Sequence, residues 1–147
     1  MVGRPLISAD ASAGRKVFVQ ACANCHRLFD AGGAIGPDIT GAQRTSVDYL
    51  LENLIDPSAA ISRDYQLQVI ATTDGRVVTG LPSAEGERAL AVQTATVRIV
   101  IPLDEIESRR NSDASLMPDG LLQNLSEKAV QDLFAYLMGP EQVPLPE

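Results

Sequence analysis

The residues best suited to chemistry in this chain are also its scarcest. There are two cysteines, one histidine and three methionines in 147 residues, and Cys22, Cys25 and His26 fall within five positions of one another. Cys22-Ala23-Asn24-Cys25-His26 is C-x-x-C-H, the spacing that suits covalent haem attachment. Two thiols three residues apart can reach the two vinyl groups of one porphyrin as thioethers. The next residue then lies under the iron, where an imidazole nitrogen serves as axial ligand.

Three other uses of the same residues compete. A thioredoxin-like pair needs C-x-x-C to open a helix after a strand, whereas here the motif closes a helical segment and no βαβ pattern surrounds it. A structural zinc site needs four ligands, and Cys and His together number three. A disulfide across two intervening residues closes a very small loop and stabilises little.

A low-spin haem needs a sixth ligand, and there is no second histidine. Methionine is the soft ligand that pairs with histidine in electron-transfer haem proteins, which leaves Met1, Met117 and Met138. Met138 ends an amphipathic helix, where methionine is ordinarily core filler. Met117 lies in the non-helical stretch Asp113–Pro118, stiffened by Pro118, and is the favoured distal ligand. The carbonyl of Pro37, in Gly36-Pro37-Asp38, is a candidate acceptor for the second ring nitrogen of His26, a contact that fixes the tautomer and raises ligand basicity. Arg44, Arg63 and Arg109 are candidates to pair with haem propionates, and the spacing does not choose among them.

The elements that must position these residues follow from periodicity. A first helix is predicted from about Ala11 to Cys22, capped by Asp10 or Ser12. Phe29 to Gly41 holds four glycines and Pro37 and is a loop. Val47, Leu50, Leu51 and Leu54 make one face of a second helix after Ser46, ended ahead of Pro57. From Tyr65 the period becomes 2: Tyr65, Leu67, Val69 and Ala71 alternate with mostly polar neighbours, and Asp74-Gly75 marks a hairpin. Returning strands at 77–81, 89–94 and 96–101, with a turn at 83–87, complete a four-stranded antiparallel meander over 65–102. A last helix begins at Ser126, with Leu125 and Val130 as a hydrophobic staple, and ends at Gly139-Pro140. The expected class is mainly α with an inserted β meander (α+β overall): a single domain over 8–140, the insertion at 65–102, and terminal extensions 1–7 and 141–147. Phe18 and Phe134 are expected on the inner faces of the terminal helices.

Composition narrows the function. The net charge is −7, which argues against nucleic acid and anionic membrane surfaces, and no apolar run approaches the roughly 18–20 residues of a membrane span. Residues 1–63 balance at zero, while 64–107 carry −4 and 108–147 carry −3. The seven acids of 64–107 are expected on solvated faces and turns, with partner docking as the alternative use. Only six residues are aromatic, so a bound haem would add much of the apolar bulk that aromatics normally supply, and the haem-free chain is expected to fold poorly.

Gly14-Arg-Lys-Val-Phe18, the C-x-x-C-H motif, Ile35-Gly-Pro-Asp38, Ser115-Leu-Met-Pro118 and Phe134-Ala-Tyr-Leu137 together resemble a monohaem cytochrome c domain over residues from about 12 to 139. The resemblance is greatest to the haem-binding type common in Planctomycetes and Verrucomicrobia, often carried by large dehydrogenase-like proteins and marked by a hairpin-type insertion. It implies a cytochrome c fold with crossing terminal helices, one covalent haem c on Cys22 and Cys25, His26 as proximal and Met117 as distal ligand. Most small cytochromes dock through a ring of lysines; this chain has only Lys16 and Lys128.

The function this implies is single-electron transfer by a carrier or a module of a larger dehydrogenase, not an enzyme in itself. Its partner would be a redox protein or fused dehydrogenase domain presenting a neutral or basic patch. The alternatives are a haem sensor or a small-ligand or peroxide-active haem protein with an open distal site, and an interaction module built on the acidic β segment. Haem c is attached outside the bacterial cytoplasm, which points to a periplasmic or otherwise extracytoplasmic setting. No signal peptide is visible at the start, as expected of a mature fragment or excised domain.

Overall fold

A computed structural model describes residues 9–59, 61 and 63–147. The expected extension 1–7, and Met1 with it, lies outside the described residues. The chain divides into two compact units, one running to Asp56 and resuming at Asp119–Glu147, the other Pro57–Pro118.

The first unit holds three helices, α1 (Ala11–Ala21), α2 (Val47–Ile55) and α3 (Glu127–Leu137). Each starts where a side-chain oxygen can satisfy free N–H groups. Asp10 accepts from Ser12 and Ala13, Ser46 from Tyr49, and Ser126 from Ala129. The helix α2 stops one residue before the Asp56–Pro57 bond. Two short strands, β1 (Arg27–Leu28) and β2 (Ala31–Gly32), pair antiparallel, the second of them inside the Phe29–Gly41 segment expected to be loop.

The helices α1 and α3 meet at Gly14, where a Cβ would stand 1.8 Å from the Asp132 carbonyl oxygen. Only a residue without a side chain permits so close a crossing. Phe18, 2% exposed, lies against Tyr136 with ring centroids 5.5 Å apart. Phe134 is buried as expected, but the aromatic partner of Phe18 is Tyr136. Asp132, also buried, accepts the Asp10 N–H at 2.8 Å and bonds Lys128, which ties the start of α1 to α3.

The second unit is a five-stranded antiparallel sheet of β3 (Gln68–Thr72), β4 (Val77–Glu85), β5 (Ala89–Gln93), β6 (Arg98–Pro102) and β7 (Ile106–Asn111), in the order β6-β5-β4-β3-β7. The first four strands form the expected meander, and Gly75 (φ +88) turns its first hairpin. The fifth strand was not anticipated. Ile106-Glu-Ser-Arg-Arg-Asn has one apolar residue and five exposed ones, so an edge strand of this kind leaves no alternating pattern to read. Two boundaries also move. Strand β4 continues through Ser83–Glu85, expected as turn, with a register shift between Pro82 and Ala84. On β3 the fully buried residues are Ile70 and Thr72 rather than Val69 and Ala71. Ile70 joins Val78, Leu90, Val92 and Ile101 in the core.

The expectation of a mainly α chain is therefore overturned. Among the described residues helix makes up 29% and strand 25%. The helices are only 9–11 residues long, while the sheet gains a strand and lengthens another.

Candidate functional site

The first unit carries Cys22, Cys25 and His26 on one turn. At the end of α1 the N–H groups of Cys22 and Ala23 both donate to the Phe18 carbonyl, at 2.8 and 2.9 Å. The chain then folds over the Cys22 carbonyl, which accepts from Cys25 (3.1 Å) and His26 (2.9 Å). A terminating helix leaves its last four carbonyls without a partner in the helix; here the turn uses that of Cys22 twice. Both cysteines are free thiols and partly exposed. Burial, and then the neighbouring Cys25, pushes the Cys22 thiol up to about 11.

His26 and Pro37 are brought together: the imidazole Nδ1 lies 2.8 Å from the Pro37 carbonyl oxygen. A carbonyl can only accept, so Nδ1 carries the proton and the lone pair is on Nε2. The loop that presents this carbonyl is held against the motif. Gly36 donates to the Cys25 carbonyl at 2.7 Å, and Ile39 to that of Arg27 at 2.9 Å. Gly36 packs so close that a Cβ there would lie 2.9 Å from His26 Cε1 and 3.1 Å from Nδ1.

Met117 belongs to the second unit. It lies in the loop after β7, half-buried, its N–H on Ser115 Oγ at 3.1 Å, and Ser115 N–H is in turn on Ser58 Oγ at 3.0 Å. Met138 is the residue that closes α3. Of the candidate arginines, Arg44 donates Nε to the Thr40 carbonyl (3.0 Å) and Nη1 to those of Leu137 (2.8 Å) and Gly139 (2.6 Å). Arg109 bonds Glu85 and Gln68 within the sheet unit, and the Arg63 side chain lies outside the described residues. Sequence reasoning did not single out Phe29 or Gln142. Phe29 has φ +57, a left-handed conformation rare for an aromatic residue. Gln142 accepts from Tyr136 Oη at 2.8 Å and donates to Asp30 at 2.7 Å. Their partners are distant in sequence, so no local pattern marks them.

Two free thiols and an imidazole whose Nε2 has no partner among the described residues form, on one turn, the donor set of a c-type haem protein. Among the described residues no group of three or more His, Cys, Asp or Glu side chains is placed to hold a bare metal ion. The cytochrome c family model matches residues 11–139, and the chain belongs to that family. No curated protein matches it. Membership makes it a haem-based electron-transfer protein with covalently bound haem c and a redox partner. Cytochrome c domains typically work outside the cytoplasm. No helix among the described residues is long and apolar enough to cross a membrane.

Proposed function

We propose that this chain is a monohaem cytochrome performing single-electron transfer. Cys22 and Cys25 bind the two vinyl groups as thioethers, His26 is the proximal ligand through Nε2, and Met117 is the distal ligand. The observation that carries this reading is the 2.8 Å contact between His26 Nδ1 and the Pro37 carbonyl, on the turn that also holds both free thiols. When bound, the haem supplies one-electron exchange between ferric and ferrous iron.

The chain's own residues set how that exchange is tuned. By accepting the Nδ1 proton, Pro37 orients the imidazole and strengthens Nε2 as a donor. A methionine sulfur favours the ferrous state relative to a second histidine, so Met117 places the potential fairly high. Support for Met117 over Met138 comes from the local backbone. Met117 is in a loop anchored through Ser115, whereas Met138 closes α3, a place where methionine is ordinarily core filler.

The pattern of motifs and the inserted β segment support one domain over 8–140, of the Planctomycete and Verrucomicrobia type. The setting would be periplasmic, and the partner another redox protein or a fused dehydrogenase domain. With a net charge of −7, the partner's docking patch is neutral or basic.

Visible spectra of the matured protein test the reading. The expected result is one haem per chain, a sharp split ferrous spectrum and a weak far-red ferric band that Met117→Ala abolishes. A high-spin wild-type spectrum would overturn Met117 ligation and favour the sensor or peroxide-active alternative.

A further inference from the structure

We infer that Arg44 is a positioning residue for His26, acting through the two loop segments that flank the His26–Pro37 bond. The inference rests on the reading of His26 as the axial ligand. Sequence alone left Arg44 as a candidate for propionate pairing; its hydrogen bonds to chain carbonyls give it a structural use as well.

One segment is Arg27–Ala31, directly after His26. It contains Phe29 in its left-handed conformation (φ +57), a strained state that persists only where surroundings enforce it. The Arg44 guanidinium stands 4.8 Å from the centroid of the Phe29 ring, a cation–π distance, and the ring also meets Tyr136 edge-on at 6.1 Å. The other segment is Gly36–Thr40, which presents the Pro37 carbonyl. Arg44 Nε donates to the Thr40 carbonyl at 3.0 Å, and Thr40 Oγ1 accepts the Phe29 N–H at 2.8 Å. Both segments thus converge on one guanidinium.

That guanidinium is itself anchored. Nη1 takes the carbonyls of Leu137 and Gly139, at the negative end of α3 where a cation is favoured. Arg44 therefore fastens the loops around the histidine to the C-terminal helix. A lysine would keep the charge but not the rigid planar fork that reaches three carbonyls while stacking on a ring. Loss of the fork frees Thr40 and Phe29, and the Pro37 carbonyl is held less firmly on Nδ1, by the Gly36 and Ile39 bonds alone. A weaker Nδ1 hydrogen bond makes His26 a poorer donor, which favours the reduced state.

The test compares the haem-loaded wild type with Arg44→Lys, reading the exchange rate of the His26 Nδ1 proton by NMR and the reduction potential. Arg44→Lys is expected to speed exchange by up to about tenfold, as weakening one hydrogen bond would, and to raise the potential. Leu133→Ala, in the buried core of the same unit, is expected to lower stability with both readouts unmoved. Arg44→Lys that loses stability but keeps wild-type exchange and potential would overturn the inference. Should Arg44→Lys fail to mature, Thr40→Val, which removes the acceptor for Phe29 N–H, must move both readouts in the same direction, and wild-type values there would equally overturn it. A wild-type protein whose His26 proton is not shifted by the haem would overturn the ligand assignment itself.

Discussion

Gly14 of α1 and Asp132 of α3 meet backbone to backbone. A Cβ on Gly14 would fall 1.8 Å from the Asp132 carbonyl oxygen and 2.9 Å from the Tyr136 Cβ. Because the first obstacle is main chain, it cannot swing aside as a long side chain would. Gly14→Ala is therefore expected to push the helices apart and to cost about 1–3 kcal/mol, although alanine is the better helix former by about 1 kcal/mol. Chemical denaturation measures this; an unchanged or raised midpoint would show that the crossing is looser than described.

The chain beyond α3 returns to the segment that follows the C-x-x-C-H motif. Gln142 accepts from Tyr136 Oη and donates to Asp30. This hydrogen bond, with one from its own backbone, holds the Asp30 carboxyl below its ordinary 3.8. A carboxyl whose folded value is depressed adds stability that is present above the unfolded value and is lost as pH falls through the folded value. Gln142→Ala should therefore raise the Asp30 midpoint, followed by carboxyl NMR, and reduce the acid sensitivity of unfolding below pH 4. A midpoint identical in the two proteins would count against the bridge.

Burial raises the Tyr136 hydroxyl above its ordinary 10.0. The sign is opposite in effect: the neutral phenol is the folded form, its contribution is complete below pH 10, and it fades as pH climbs through the raised value. An ultraviolet titration should show a tyrosine step above pH 10, and Tyr136→Phe should remove it.

Carbon monoxide separates the methionines. With Met117 on the iron, the ferrous wild type resists carbon monoxide, Met117→Ala binds it readily, and Met138→Leu behaves as wild type. Ready binding by the wild type would argue for an open distal position.

The sheet unit has its own interior, so its substitutions should sort by side. Ile70 is fully buried among Val78, Leu90, Val92 and Ile101, and Ile70→Ala is expected to cost about 2–5 kcal/mol. Val100 on β6 is 60% exposed, and Val100→Thr should stay within about 0.5 kcal/mol of wild type. Similar losses at both positions would show that the outer side is covered. The strand order also dictates how the sheet is removed. Cutting out residues 66–101 alone would take from β7 its partner strand β3, so a clean deletion spans β3 to β7.

Much of the first unit is legible in the sequence because its determinants are local. A cap and the groups it satisfies are two or three residues apart, so Asp10, Ser46 and Ser126 announce their helices, and Pro57 marks where α2 stops. The C-x-x-C-H turn is equally local, being closed by the Cys22 carbonyl on residues three and four positions later. The alternation after Tyr65 and the Asp74-Gly75 turn likewise reveal four strands. What tertiary structure alone decided are contacts between distant residues with no period to betray them. Strand β7 is a strand because β3, some 40 positions earlier, offers an open edge; of its own residues only Ile106 is apolar, and the other five are exposed. The inner face of β3 follows from its register against β4, and a shift of one residue exchanges the faces. Arg44 reaches carbonyls 93 and 95 positions away, and Gln142 links Tyr136 to a carboxylate 112 positions away. Hydrophobic period and capping act over a few residues and are written in the sequence; pairing of edges and anchoring of a guanidinium depend on which backbone groups folding leaves unpaired nearby.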